Sequence, residues 1–557
     1  LGIPKTIIEE IHMPKSNYFS RREFSKILPL ILIIILPILG YWFYCNYIAP
    51  ISPSYQDYDP EFQYFLNSLA IFKGGAYAYI DHPGTPLEII GSIILGAIYP
   101  FLQNHQIGFV QYNLENPGLF LGLTRGFIVL TSLGCALLFY LVAISSKRLE
   151  ATLTASALAM MFFMIHPYSF NTLIVWSHNS FNFPFGTLVL IVLFVAVKKG
   201  EEVPIWKLIG IGLGVGILTA ITIYFVAWVA GAVITVVVLY RLRNISWQKT
   251  TLAIGALIAS GLAGFFLATL PILNLYPRFV DWIIGLIFHQ GMYGGGAQGI
   301  TSPALILANI RTLFRGLIVL FLCVGVEFVL LVFAFFRWRE RVSEKPGLWS
   351  LAVGLSFQIL IVSVSIFKHP KNIYMLAVAA IVPVLMMVIL EIFQYDAALR
   401  LILSRIFMIF VLAGLVISFF NVTMVRRNFA TYVQNVDEQT SQALKEYSGW
   451  KGRAPDNLLV LWTYGTYSPC YSLWFANGSA NYVFSRNITR LCGNQLQLNV
   501  WNVWSSRDKG LWMDWDVIVT RKQFLDNSSL NQIGTVYKEL QGTEDGYGPI
   551  VLIRNTK

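Results

Sequence analysis

The fold class this sequence predicts is a polytopic α-helical membrane protein carrying a small α/β domain outside the bilayer, and three observations predict it. First, 56% of the residues are hydrophobic, 15% aromatic and only 12% charged, a balance far from that of soluble domains. Second, long apolar runs recur, beginning with Ile27–Ile48, which has the roughly 20 residues a helix needs to cross a bilayer. Third, the composition turns polar after about Phe420.

The net charge of +11 is not the footprint of a nucleic-acid binder. Lys147 and Arg148, Lys198 and Lys199, Arg241 and Arg243, and Arg337, Arg339 and Arg341 each follow an apolar run, as positive-inside anchors do. With Lys15, Arg21, Arg22 and Lys26 they place residues 1–26 in the cytoplasm. The first apolar run is long and starts well inside the chain, which predicts a retained anchor instead of a cleaved signal.

Alternating the charges gives about eleven spans within residues 27–420: 27–48, 119–144, 152–168, 181–197, 208–223, 225–240, 252–270, 314–336, 348–367, 374–393 and 401–420. The pair between 208 and 240 also reads as one long tilted helix. The run 86–101 is short for a span, and counting it would turn Lys147 and Arg148 outward. It is therefore expected to lie on the outer face, within a large outer loop 49–118. A second outer loop, 271–311, contains the glycine-rich stretch from Gly291 to Gly296. An odd number of spans puts residues 421–557 outside, as the α/β domain, with strands expected at 458–462, 517–520 and 550–553. An oxidising compartment there would allow Cys470 and Cys492, the only cysteines of that domain, to pair. Its sequons at Asn477, Asn487 and Asn527, with Asn421, are weak signals.

Loop 49–118 holds Asp57, Asp59, Glu61, Asp81, Glu88 and Glu115 against a single cation, Lys73. With Arg125, Arg278, Arg311, Arg315, Lys368 and Lys371 expected near the same face, it suits a substrate with an anionic headgroup and an apolar tail. A polyprenyl phosphate carrying a sugar has both. Its phosphate is a good leaving group that needs cationic stabilisation, and a hydroxyl acceptor needs a base, which a carboxylate supplies. One base without a covalent nucleophile means a single displacement with inversion at the anomeric carbon.

An N-terminal span, an acidic opening of the outer loop, a later His-Pro element and an outward Arg at the start of the next span resemble, in that order, the GT-C membrane glycosyltransferases. Within that class the chain resembles the protein O-mannosyltransferases and the lipid A aminoarabinose transferases. In that class the first outer loop carries the catalytic carboxylate, often in an Asp-Glu pair. The matching stretch here is Asp59-Pro60-Glu61, with Asp57 upstream. The resemblance implies Asp59 as general base, with Glu61 and then Asp57 as the other candidates; Pro60 separates the pair, and Asp59 equally suits the N-cap of a helix starting at Pro60. Asp81-His82-Pro83-Gly84-Thr85-Pro86-Leu87 is similar to the His-Pro-Pro-Leu element of the mannosyltransferases. Lys368-His369-Pro370-Lys371-Asn372-Ile373-Tyr374 resembles the entry to a late span in the aminoarabinose transferases.

The candidate donor-phosphate and substrate contacts are thus Asp81, His82, Arg125, Arg278, His289, Lys368, Lys371 and Tyr374. His82 has three readings, a phosphate contact, an orienting group or, with Asp81, a weak metal site, beside a structural turn. His178 and Asn179 stand where some relatives place an acid, which disfavours a metal bridge between loops. Tyr55, Tyr58, Tyr64, Tyr77 and Trp282 are either sugar-stacking or interfacial belt aromatics. The expectation is a hexosyl- or pentosyltransferase in a plasma or inner membrane, or the endoplasmic reticulum of a eukaryote. It works on the outer side, on a lipid, glycan or protein hydroxyl, and requires no cofactor, a divalent cation being the one possible exception. A multi-pass transporter, for which Glu327 inside a span is thin support, and a non-catalytic envelope protein are the alternatives.

Overall fold

The computed structural model describes residues 58–75, 84–102, 108–145, 175–182, 184–289, 298–299, 302–368, 370–393, 396–452, 458–461, 469–478, 480–492, 497–498, 515–522, 534–542 and 548–555. The expected spans 27–48 and 152–168 lie outside them, as do Asp57, Asp81 and His82.

Loop 49–118 is largely helical: α1 (Tyr58–Phe72), α2 (Thr85–Leu102) and α3 (Phe109–Glu115) lead into α4 (Pro117–Ser145). The helices that follow are α5 (His178–Asn182), α6 (Pro184–Val197), α7 (Ile205–Ile221), α8 (Val226–Leu242) and α9 (Trp247–Ala268). Next come α10 (Tyr276–Phe288), α11 (Pro303–Gly316), α12 (Ile318–Trp338), α13 (Pro346–Phe367), α14 (Leu376–Ile392) and α15 (Ala397–Lys451). Among the described residues nine helical stretches are long and apolar enough to cross a membrane, and the chain is an integral membrane protein. Two of the nine, Thr85–Leu102 and Leu270–Phe288, fall in segments expected on the outer face. Length and apolarity are common to spanning and surface-lying helices, so their assignment rests on the charge argument.

The pair between 208 and 240 is two helices. Extended Thr222 and a 3-10 turn at Ile223–Phe225 separate α7 from α8, and the two helices then take different partners: α7 packs chiefly on α9 and α8 on α13. Small residues make both contacts close. Gly212 and Gly216 of α7 meet Ser260 and Gly261 of α9, and Gly231 and Gly354 let α8 and α13 approach around Gln358 and Thr235. With no hydrophobic drive between helices in lipid, such close backbone packing is what holds them together. Helix α14 is apolar on every side because α6, α12, α13 and α15 surround it, and nearly all of it is buried.

The C-terminal domain contains α16 (Pro469–Asn477), α17 (Ser485–Cys492) and five strands: β1 (Leu458–Leu461), β2 (Gln497–Leu498), β3 (Val517–Arg521), β4 (Gly534–Glu539) and β5 (Ile550–Asn555). Their order is β2-β1-β3-β5-β4; β2, β1 and β3 are parallel, while β5 runs antiparallel to β3 and β4. Cys470 and Cys492 form a disulfide, and Asn477 is fully buried, donating from Nδ2 to Ser485 Oγ at 2.9 Å.

The expected domain boundary at 421 falls inside α15, a single helix of 55 residues. Neither Pro nor Gly occurs between Gly414 and Gly449, so the change of composition near Phe420 does not stop the helix; left-handed Gly452 does. The distal part of α15 backs the sheet. Asn435 Nδ2 donates to Gln541 O at 2.7 Å, Tyr447 Oη to Asp516 Oδ1 at 3.4 Å, and Lys538 pairs with Glu446 at 3.4 Å.

On this stretch Asp437 is half-buried, its Oδ1 has no hydrogen-bond partner among the described residues, and burial pushes its carboxyl up from 3.8 to about 6. Between about pH 4 and pH 6 the folded chain keeps a proton that the unfolded chain has released, so stability falls as pH rises through that window. Asp437→Asn is expected to stabilise the domain at pH 7, on the order of 1 kcal/mol after solvent screening, and to do almost nothing at pH 4. Thermal melts at the two pH values check this; equal effects at both would refute the assignment.

Candidate active site

Helix α1 begins at Tyr58, so Asp59 sits in its first turn; of Asp59 only the backbone is described. Two residues on, Glu61 is fully buried. Its Oε1 accepts from Arg125 Nε at 2.9 Å and from the backbone N–H of Trp176 at 2.7 Å, and its Oε2 accepts from Arg125 Nη2 at 2.5 Å. Three segments far apart in the chain therefore meet on one carboxylate: the head of α1, the third turn of α4 and the approach to α5. The parallel two-bond geometry of a guanidinium on a carboxylate fixes orientation as well as charge.

The next turn of α1 continues the contact. Tyr64 Oη lies 3.0 Å from His178 Nδ1, and Asn179 Nδ2 lies 3.1 Å from His178 Nε2. All three side chains are buried. Asn67 then donates from Nδ2 to Glu88 Oε1 of α2 at 2.7 Å. Gly84, directly after the His-Pro element, has φ +62° and packs on the Tyr64 ring, where a Cβ would collide; a glycine is needed there for both reasons. Gly84 thus seats the start of α2 beside Tyr64, one turn from Glu61.

The other expected site residues are spread along the chain. Arg125, expected at a lipid phosphate, is 3% exposed and is engaged by Glu61. Lys368 donates from Nζ to the carbonyls of Leu286 and Ile287, the C-terminal end of α10, where a cation meets the negative end of the helix dipole. Arg278 lies in the first turn of α10, and His289 follows its last turn in a bridge to Gln298. Lys371 precedes the short 3-10 turn Asn372–Met375. There Tyr374 is buried with its ring 5.2 Å from that of Tyr224, so the turns before α8 and α14 come together. Helix α5, carrying His178, packs on α14 and α7, which places Tyr374 and Tyr224 at the same end of the bundle as the Glu61 cluster. Among the described residues no group of three or more His, Cys, Asp or Glu side chains is gathered to hold a metal.

The roles of Trp176, Asn67 and His178 did not follow from the residue pattern. A partial signal exists: Glu61, Tyr64 and Asn67 recur every three residues along the helix, as polar residues do when they share an inward face.

No family model matches the sequence, and no curated protein matches it. Among solved structures, that of ArnT from Cupriavidus metallidurans bound to undecaprenyl phosphate aligns over 94% of this chain and 97% of that one. The TM-score is 0.50 and the identity 11%. At that identity the likeness concerns architecture, and the architecture of this chain is that of the GT-C membrane glycosyltransferases.

Proposed function

We propose that this protein is an inverting membrane glycosyltransferase that moves a sugar from a polyprenyl-phosphate donor to an acceptor hydroxyl on the outer side of the membrane. The observation that carries the reading is the acid-bearing head of α1, held by Arg125 and Trp176 within a fold shared with a protein solved bound to undecaprenyl phosphate. In the reaction the acceptor oxygen attacks the anomeric carbon from the face opposite the phosphate. The bond from that carbon to the phosphate oxygen breaks, and polyprenyl phosphate leaves with the bonding electrons. A carboxylate takes the acceptor's proton.

Both oxygens of Glu61 are committed to other donors, which suits an anchor better than a base. Asp59, two residues nearer the start of the helix, is the proposed base. Arg278 and Lys371 are the proposed contacts of the departing phosphate, and Arg125 acts on the acid-bearing helix through Glu61. No cofactor is required.

Incubating the purified protein with a panel of labelled polyprenyl-phosphate sugars and an envelope-polymer acceptor tests the reading. One donor should lose its label to the acceptor and yield free polyprenyl phosphate. Arg278→Gln should weaken lipid-phosphate binding about 10-fold, the value of one charge-assisted hydrogen bond. Movement of a donor across sealed vesicles without any transfer would instead support a transporter.

A further inference from the structure

Among its described side chains, from Glu61 to Phe72, helix α1 has none that is exposed, although it lies in what the sequence presents as an outer loop. One side meets α4, through Glu61 on Arg125 and Phe65 on Phe120, whose ring centroids are 4.9 Å apart. A second side meets α2 and its lead-in, through Tyr64 on Gly84, Asn67 on Glu88 and Ser68 on Gly91. By the 3.6-residue repeat the remaining side carries Phe62, Leu66, Leu69 and Ala70, and these are all 0% exposed.

The C-terminal domain closes that side. Its α16 lies against α1, and its α17 against α3. Leu473, Ala476, Phe484 and Ile488 of this domain are fully buried and belong to the same continuous core as Phe62 and Leu66. Two polar contacts fix the edge: Lys73 Nζ, just past the end of α1, sits 5.8 Å from the centre of the Phe484 ring, and Asn487 Nδ2 donates to Gln111 Oε1 of α3 at 3.1 Å. The disulfide Cys470–Cys492 joins the first turn of α16 to the end of α17. The helix that touches α1 and the one that touches α3 are thereby tied to each other.

We propose that the α16–α17 bracket is a positioning element for the proposed transfer reaction, clamping α1 so that the carboxylates at its head stay in working geometry, and that the Cys470–Cys492 disulfide keeps the clamp closed. The mechanical part of this inference stands on the contacts above; its catalytic part rests on the glycosyltransferase reading. A bracket made of two covalently joined helices docks as one body, whereas two separate helices must each be ordered on their own. Misplacement of a catalytic group by about 1 Å is enough to lower turnover about 100-fold.

The test uses the full chain in lipid nanodiscs. The disulfide is reduced with tris(carboxyethyl)phosphine, which takes up oxygen from water and becomes the phosphine oxide while each sulfur gains a proton; alkylation and mass spectrometry confirm two new thiols. Hydrogen exchange of the α1 amides is then read, together with kcat and KM for the donor. Exchange in α1 should rise about 10-fold or more, as a loosened local unit does. The kcat should fall about 10-fold or more, KM for the polyprenyl donor should stay within about 2-fold, and reoxidation should restore all of them. Phe484→Ala, which leaves the disulfide intact, should raise α1 exchange as well, and Phe484→Tyr, which keeps the ring, should not. Faster α1 exchange in a protein that turns over no donor in either redox state upholds the clamp and removes the glycosyltransferase reading. Unchanged α1 exchange in the fully reduced protein overturns the clamp, whatever the activity.

Discussion

Asp59→Asn is expected to lower turnover about 100-fold or more while leaving the protein folded, because asparagine keeps the size and much of the hydrogen bonding of aspartate and loses the oxygen that accepts a proton. The comparison variant is Glu61→Gln. Glu61 is occupied by Arg125 and the Trp176 N–H, so its loss should show as a weakened structure together with a smaller fall in kcat. Initial rates with a saturating lipid donor, measured beside thermal melts of each variant, separate the two effects. If Asp59→Asn keeps near-normal turnover and Glu61→Gln abolishes it at unchanged stability, the base is Glu61; if both variants keep their activity, the mechanism given above is wrong for this chain.

Arg125→Met should be the most destabilising single change in the cluster. It leaves the Glu61 carboxylate fully buried with, among the described residues, only the Trp176 N–H to face it, and breaking a buried ion pair from one side costs about 3–5 kcal/mol. The double variant Arg125→Met/Glu61→Gln removes both charges and should recover much of that loss, so the two changes will not add. Denaturant unfolding of the two single variants and the double variant completes the cycle. A stable Arg125→Met protein that has lost lipid-phosphate binding would return Arg125 to the donor's headgroup.

The membrane-spanning part of the fold was legible because its signals are local. Apolar runs with basic residues at alternate ends gave α4, α6, α8, α9, α12, α13 and α14 close to their observed limits. The division between α7 and α8 was open in the sequence, since the break at Thr222 needs neither Pro nor Gly. Helix α1 was harder to see. It reads as an acidic loop because its apolar residues surround the whole helix instead of forming one stripe, a pattern that makes sense only once α2, α4 and α16 are packed around it. The site was legible as a region and not as a geometry. Asp59, Glu61 and Arg125 were singled out as residues, but nothing local in sequence says that Arg125 turns to a carboxylate 64 positions away or that the backbone of Trp176 completes the cradle. The helix that carries the last expected span runs past it for a related reason: the change to polar residues near Phe420 does not stop a helix, while left-handed Gly452 does.

Helix α15 also sets where the C-terminal domain stands. About 27 residues separate Phe420, where its apolar stretch ends, from Tyr447, which touches the sheet, and at 1.5 Å per residue that is roughly 40 Å of unbroken rod. A domain hung on a loose tether samples many heights and headings. This one is indexed to the bilayer as a tooth is to its gear, its altitude and azimuth both counted out in helical residues.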